Sequence, residues 1–181
     1  VSTGKYDAAI TGALVNKERL KAFDFTMPIA ENTHYYLKRK SDKSIKGIKD
    51  LAGKTVGVQA GSVLLARLPE LEAMLEKSGG KLGKVVQYTS YPEAYQDLAI
   101  GRIDYIVNGQ INLLNVVAQK SDVFEMGTEP VSGPSFVAWP VKKGNKEALD
   151  FLNGFIRKMR DSGKLAELQK RHKMVTEEVT P

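Results

Sequence analysis

The chain is predicted to be α/β, with at least one doubly wound lobe, and three observations predict this. Between residues 33 and 133 short apolar runs alternate with helical patterns, the order expected of a mostly parallel sheet flanked by helices. The apolar run Thr55-Val56-Gly57-Val58-Gln59 is followed by Ala60-Gly61-Ser62 and then a long helical pattern over residues 63–77, which is a strand-to-helix corner with Ser62 as its N-cap. Gly101-Arg102-Ile103-Asp104 closes a second helix and turns into the strand Tyr105-Ile106-Val107. At 181 residues the chain has room for one ordinary domain or two small ones with a real hydrophobic core.

Taken in order, Tyr6, Ala8, Ile10 and Leu14 suit a helix end followed by a strand. Asn16-Lys17-Glu18-Arg19 opens a helical turn ahead of the strand Ala22-Phe23-Asp24-Phe25. Residues 29–40 hold the β-rich run His34-Tyr35-Tyr36-Leu37. Residues 41–51 read as a polar loop and short amphipathic turn with Ile45 and Ile48 facing in. After the corner at Ser62, a loop at 79–83 leads to the strand Val85-Val86-Gln87-Tyr88. A helix over 91–101 places Tyr95, Leu98 and Ala99 on one face, and an amphipathic helix covers 110–120 before a strand at 123–126. Residues 136–141 form a last strand. Asn145 caps a helix to Ser162 whose Leu149, Leu152, Phe155, Ile156 and Met159 repeat at helical spacing and read as core. Gly163 ends it, residues 164–172 form a terminal helix, and Trp139 reads as a core anchor.

Charge and composition exclude several classes of function. No run approaches the roughly 18 apolar residues of a spanning helix, and the start of the chain carries no signal-peptide pattern. The absence of cysteine removes disulfides, thiol catalysis and cysteine-ligated zinc without fixing the compartment. The net charge of +6 permits nucleic acid as a partner. The lysines are dispersed, however, and the two dense clusters, Lys38-Arg39-Lys40 and Lys170-Arg171-His172-Lys173, lack interleaved aromatics. No nucleic acid, cofactor or metal is expected. His34 and His172, the only histidines, read as surface or hinge residues.

Two places carry chemistry. Arg19 offers a rigid fork of donors that matches a carboxylate and stays charged at any physiological pH. It is either a buried ligand anchor delivered by residues 4–28 or a surface arginine paired with Glu18 or Asp24. At Gly61, Ser62 and Val63 the first N–H groups of a helix lack partners and suit an anion, although a bare Gly-Ser before a helix is common in proteins that bind nothing there.

The motifs Gly4-Lys5-Tyr6-Asp7, Ile10-Thr11-Gly12, Asn16-Lys17-Glu18-Arg19, Phe23-Asp24-Phe25-Thr26-Met27-Pro28, Leu98-Ala99-Ile100-Gly101-Arg102-Ile103-Asp104 and Met159-Arg160-Asp161-Ser162-Gly163-Lys164-Leu165 stand in the order of the bacterial extracellular solute-binding proteins of polar amino-acid ABC transporters. The chain resembles that family throughout. The resemblance implies a two-lobed, periplasmic-binding-protein-like (type II) fold, with lobe 1 from residues 1–33 and 135–181, lobe 2 from 34–134, and hinge crossings near 29–34 and 129–136. It implies a non-enzymatic periplasmic component that closes two lobes on a small carboxylate-bearing solute and delivers it to a membrane permease. Thr11, Gly12, Leu14, Arg19, Gly61, Ser62, Val63, Asn108 and Gly109 are the ligand-binding positions it implies.

Two departures from the family pattern matter. The places that hold an α-ammonium group in the family are Leu14 and Gly109 here. A buried ammonium without acceptors costs several kcal/mol, more than half of a micromolar binding energy of about 8 kcal/mol. A carboxylate lacking the amine, or carrying it elsewhere, therefore suits the site better, and Asn108 and Gln110 flank the vacant spot. The family pattern also has a strand-helix-strand stretch before the Gly4 motif, whereas this sequence starts at Val1 immediately ahead of it, so lobe 1 is expected to be incomplete. An open sheet edge and exposed apolar surface invite pairing, so a proteolytic or expressed fragment, a companion chain or a strand-exchanged dimer is expected. The alternatives to transport are a cyclohexadienyl or arogenate dehydratase-like enzyme on the same fold, with Glu18, Asp24 or His34 as acid-base group, and a ligand-sensing domain of a larger receptor.

Overall fold

The computed structural model describes residues 1, 3–172 and 174. The chain divides into two compact units, Val1–Asn32 with Pro134–Pro181, and Thr33–Gly133, called unit 1 and unit 2 below. In chain order unit 1 begins with α1 (Lys17–Ala22), β1 (Phe23–Phe25) and β2 (Ala30–Glu31). Unit 2 follows with β3 (His34–Arg39), a 3-10 helix (Ile48–Leu51), β4 (Val56–Gln59), α2 (Val63–Lys77), β5 (Val85–Tyr88), α3 (Tyr91–Ala99), β6 (Tyr105–Gly109), α4 (Gln110–Gln119) and β7 (Phe124–Met126). The chain then returns to unit 1 for β8 (Phe136–Val137), β9 (Pro140–Lys142), α5 (Lys146–Asp161) and α6 (Lys164–Arg171). No helix among the described residues is long and apolar enough to cross a membrane.

Unit 2 is a five-stranded sheet in the order β5-β4-β6-β3-β7 with helices on both faces. Alternation along each strand sorts its side chains between two cores. Tyr36, Val56, Val58, Tyr105 and Val107 point to one face and pack with Leu64, Leu68, Leu71 and Leu75 of α2. Leu37 and Ile106 point to the other and pack with Ala94, Leu98 and Leu113 of α3 and α4. The sheet is less parallel than the sequence suggests. β4 runs parallel to β5 and β6, whereas β3 is antiparallel to both β6 and β7. Residues 36 and 37 show why this is hard to foresee: they are buried on opposite faces, and the composition of such a strand carries no mark of its direction. On α3 the residue buried beside Leu98 is Ala94, and Ala99 faces solvent.

Unit 1 holds two short antiparallel ribbons, β1 with β9 and β2 with β8. The single strand expected over residues 136–141 is thus two strands with different partners, broken at Ala138-Trp139. Residues 6–14 form no named strand. They run beside the return segment through the isolated bridges Ala8 to Val141 and Leu14 to Val137. Helices α5 and α6 hold the 27–29 stretch by polar contacts: Met27 N–H donates to Asn153 Oδ1 (2.8 Å), Arg160 Nη2 to the Pro28 carbonyl (2.9 Å) and Gln169 Nε2 to the Ile29 carbonyl (2.7 Å). Of the α5 stripe read as core, Ile156 is fully buried while Phe155 is half exposed, its ring stacked on Trp139 with centroids 6.3 Å apart. Trp139 is half-buried rather than a sealed anchor. The expected basic cluster at 170–173 ends α6 at Arg171, and Lys173 lies outside the described residues.

His34, expected at a surface or hinge, is 1% exposed at the start of β3. Its Nδ1 shares a 2.9 Å hydrogen bond with the Ser132 hydroxyl, and its Nε2 is buried without a partner. Burial, reinforced by the nearby Arg67 guanidinium and opposed by Glu70, lowers its pKa to about 4. Between that value and the ordinary 6.5 the unfolded chain binds a proton that the folded one refuses, so stability falls as pH drops through this window. The full effect is about 3 kcal/mol. Urea unfolding at pH 7 and at pH 4.5 tests it: His34→Gln is expected to lose distinctly less stability across that interval than the parent, and equal losses would contradict a neutral buried imidazole.

Candidate functional site

The unit 1 candidate is built by residues 7–16. The backbone of this stretch is pinned to the return segment by Ala9 N–H to the Pro140 carbonyl (2.9 Å), Ala138 N–H to the Ala13 carbonyl (3.1 Å) and Val15 N–H to the Phe136 carbonyl (3.0 Å). Six residue steps separate Ala8 from Leu14 where four separate Val137 from Val141, so two surplus residues bulge outward. Thr11 and Gly12 sit on that bulge, both exposed. Leu14 is half-buried, and its carbonyl is the fixed point for the next feature.

Asn16 caps α1, its Oδ1 accepting from Arg19 N–H at 2.7 Å, while Arg19 Nη1 donates to the Leu14 carbonyl at 2.8 Å. The Arg19 backbone is thus held at its N–H and, by Phe23 N–H, at its carbonyl, and its side chain is held once. The carboxylates expected to neutralise it are committed elsewhere. Glu18 pairs with Lys21 (2.8 Å), and Asp24 pairs with Lys143 (2.7 Å) and accepts from Gly144 N–H. The Lys143 hydrogen bond first, then that of Gly144, hold the Asp24 carboxyl below the usual range. Among the described residues no carboxylate lies within ion-pair distance of Arg19. The expectation of a buried arginine needs correction: Arg19 is exposed within its unit because a six-residue helix with no buried residue carries it. What the geometry provides is a preoriented, solvent-facing guanidinium with most of its donors uncommitted.

Unit 2 offers its own candidate, read from topology. β4 and β6 are parallel neighbours, and the helices that follow them pack on opposite faces of the sheet, α2 with the first core and α4 with the second. In open α/β sheets the crevice outside the carboxyl ends of two such strands is where ligands bind. Gly61, Ser62 and Val63 lie at the end of β4, and Asn108 and Gly109 close β6. Gly61 has φ +65°, the left-handed turn that lets the chain enter α2. Ser62 Oγ accepts from Leu65 N–H (3.2 Å) and donates to the Gln59 carbonyl (2.7 Å), so its hydroxyl is used as a cap, and the Ser62 N–H also donates to the Gln59 carbonyl (3.3 Å).

Asn108 is 2% exposed and turned inward. Its Oδ1 accepts from Gly109 N–H (2.8 Å) and Asn112 Nδ2 (3.1 Å), and its Nδ2 donates to Tyr95 Oη (3.0 Å). It braces the corner through a network that the sequence pattern did not reveal. Tyr95 and Tyr91, stacked with centroids 5.9 Å apart, complete that brace, and burial raises both phenols. Among the described residues no group of three His, Asp or Glu side chains is placed to hold a metal ion.

The class of protein that this architecture defines is the mixed α/β, type II fold of the periplasmic amino-acid-binding proteins. An ancestral arginine-binding protein bound to arginine matches with a TM-score of 0.75 at 31% identity, over 94% of this chain and 73% of that one. AbpA of Streptococcus pneumoniae bound to L-arginine matches with a TM-score of 0.76 at 26% identity, over 95% and 70%. The GluR0 ligand-binding core of Nostoc punctiforme, at 21% identity and a TM-score of 0.73, shares the fold. The profile of the bacterial extracellular solute-binding proteins, family 3, matches residues 1–174, and the chain belongs to that family. Its curated relatives include the L-cystine-binding protein TcyJ of Escherichia coli, 30% identical over 92% of this chain and 60% of that protein. The L-arginine-binding protein of Pseudomonas aeruginosa is 31% identical over 93% and 65%. The chain thus spans about three fifths of the length of the relatives it matches.

The cap assigned to Ser62 is separable from any ligand. Ser62→Ala is expected to cost about 1 kcal/mol in denaturant unfolding, and an unchanged midpoint would show that the Leu65 N–H finds another acceptor.

Proposed function

We propose that this chain is the solute-binding component of an ABC importer, acting in the periplasm and passing its cargo to a membrane permease. The cargo is a small carboxylate-bearing solute, an amino acid or related organic acid, and Arg19 is its anchor. The observation that carries this reading is the Arg19 guanidinium, fixed by the Leu14 carbonyl while Glu18 and Asp24 are bound to lysines. Membership of a family of solute-binding proteins and relatives named for arginine and cystine binding support it. The same names favour binding over turnover.

Leu14 and Gly109 bear on which solute is held. Leu14 contributes a backbone carbonyl already shared with Arg19, and Gly109 has no side chain, so neither offers an α-ammonium group a charged partner. A 2-oxo acid or dicarboxylate avoids that desolvation cost.

Isothermal titration calorimetry with L-arginine, L-glutamine, L-cystine, 2-oxoglutarate and succinate, repeated on Arg19→Ala and Arg19→Lys, tests the proposal. A ligand that binds the parent is expected to bind Arg19→Ala about 10- to 100-fold more weakly, the loss of a charge-assisted, bidentate contact. Arg19→Lys is expected to recover only part of that loss, since an ammonium lacks the fork. Equal affinity for parent and Arg19→Ala would remove Arg19 from the site.

A further inference from the structure

A second charged pocket lies in unit 2 on elements that the proposed function does not use. Tyr36 and Lys38 are two apart on β3 and share a face. Beside them the 43–46 loop brings Lys43, Ile45 and Lys46, and the end of β7 brings Glu125, Met126, Gly127 and Thr128, around a cavity of about 240 Å³. Register places it far from the Ser62 corner. Lys38 pairs with Tyr105 and Tyr105 with Val56, at the start of β4 and β6, whereas the corner follows their ends.

Three features mark this cavity as a site rather than a gap. Lys38 is 6% exposed, which is uncommon for an ammonium, and it donates to the Asp42 carbonyl (3.1 Å) and to Glu125 Oε2 (2.9 Å), leaving one N–H over. Tyr36 is 2% exposed and lines the cavity, and its hydroxyl, which keeps some solvent access, has no hydrogen-bond partner among the described residues. Gly127 is the residue that admits the ring, because a Cβ there would overlap it. Lys43 spends one donor on the Lys40 carbonyl (2.8 Å) and its charge acts on Glu125, while the Lys46 charge acts on Asp50 and its ammonium makes no hydrogen bond among the described residues.

The lining therefore carries three lysines against one glutamate that is already paired. Two further carboxylates lie near. Asp50 is taken up by the Lys46 and Gly47 N–H groups (2.9 and 3.0 Å), and Glu129 stands outside the lining. Burial first, then Glu129, Asp50 and Glu125, raise the Tyr36 phenol, so it remains a donor at neutral pH. The uncommitted nitrogen donors of the three lysines outweigh the acceptors in the lining, Glu125 Oε1 and the Thr128 hydroxyl, and an anionic ligand that only accepts is the complement. The volume falls below the roughly 300 to 1,000 Å³ of drug-sized sites, which suits an inorganic oxyanion or a short organic acid.

We propose that the cavity bounded by Tyr36, Lys38, Lys43, Lys46 and Thr128 binds a small oxyanion, phosphate or a short carboxylate. Amide spectra of the ¹⁵N-labelled protein, titrated separately with inorganic phosphate, sulfate and succinate at ionic strength held constant with sodium chloride, test it. Saturable shifts confined to residues 36–46 and 125–128 are expected for at least one of the three, and the preference among them identifies the oxyanion class. Lys43→Gln with Lys46→Gln, both exposed positions, is expected to weaken that binding at least tenfold, and Tyr36→Phe about threefold. Arg19→Ala is expected to leave it unchanged, so the result stands apart from the proposed transport ligand. Shifts that do not saturate, that match those in chloride alone, or that persist in the lysine variants would overturn the proposal.

Discussion

A cation without a counter-charge is the constraint on which unit 1 depends. An exposed arginine ordinarily settles against a nearby carboxylate or stays mobile, and either outcome would be unremarkable. Here Glu18, its neighbour on the helix, reaches Lys21, and Asp24 on β1 is taken by Lys143 and the Gly144 N–H. The bond from Arg19 to the Leu14 carbonyl then directs the guanidinium instead of neutralising it. That carbonyl is in place because residues 7–15 are laid along β8 and β9 by backbone hydrogen bonds. The order of causes runs from a bulged edge segment, to a fixed carbonyl, to an oriented fork of donors.

Unit 2 arranges its polar groups by a different route. Both faces of its sheet are covered largely by apolar side chains, with Lys38 a buried charge on one of them. The Ser62 hydroxyl is consumed in capping α2, and the Asn108 amide in joining Tyr95 to Asn112. Such internal satisfaction rigidifies a corner. The buried His34 with Ser132, and Arg67 with Glu70 holding both the carbonyl and the N–H of Gly133 at 2.9 Å, tie the first and last residues of unit 2 to its core.

Much of this was legible in the sequence where local rules dominate. Ser62 before the periodic run predicts the cap and start of α2, Asn145 predicts the cap of α5, and Asn16 marks the turn that carries Arg19. The α/β class followed from the alternation of strands and helices, and the family from ordered motifs. What escaped was set by tertiary partners. The direction of β3 depends on its neighbours, not on its composition. Residues 136–141 look like one strand because each residue is apolar, and only the two separate partners divide them. Phe155 repeats at core spacing on α5, yet its ring ends half exposed beside Trp139. The burial of His34 and the inward turn of Asn108 rest on Ser132 and Tyr95, residues distant in sequence that no spacing rule links to them.

The most direct measurement of the central claim is the ¹⁵N spectrum of the Arg19 guanidinium in labelled protein, recorded as unlabelled L-arginine, L-glutamine and 2-oxoglutarate are added in turn. A carboxylate held by the fork slows rotation about the terminal C–N bonds, so the bound state is predicted to show resolved, slowly exchanging Nη signals for the compound that binds. Binding heat from any of these compounds with the Arg19 signals still averaged as in the free protein, or no response to any of them, would contradict the account.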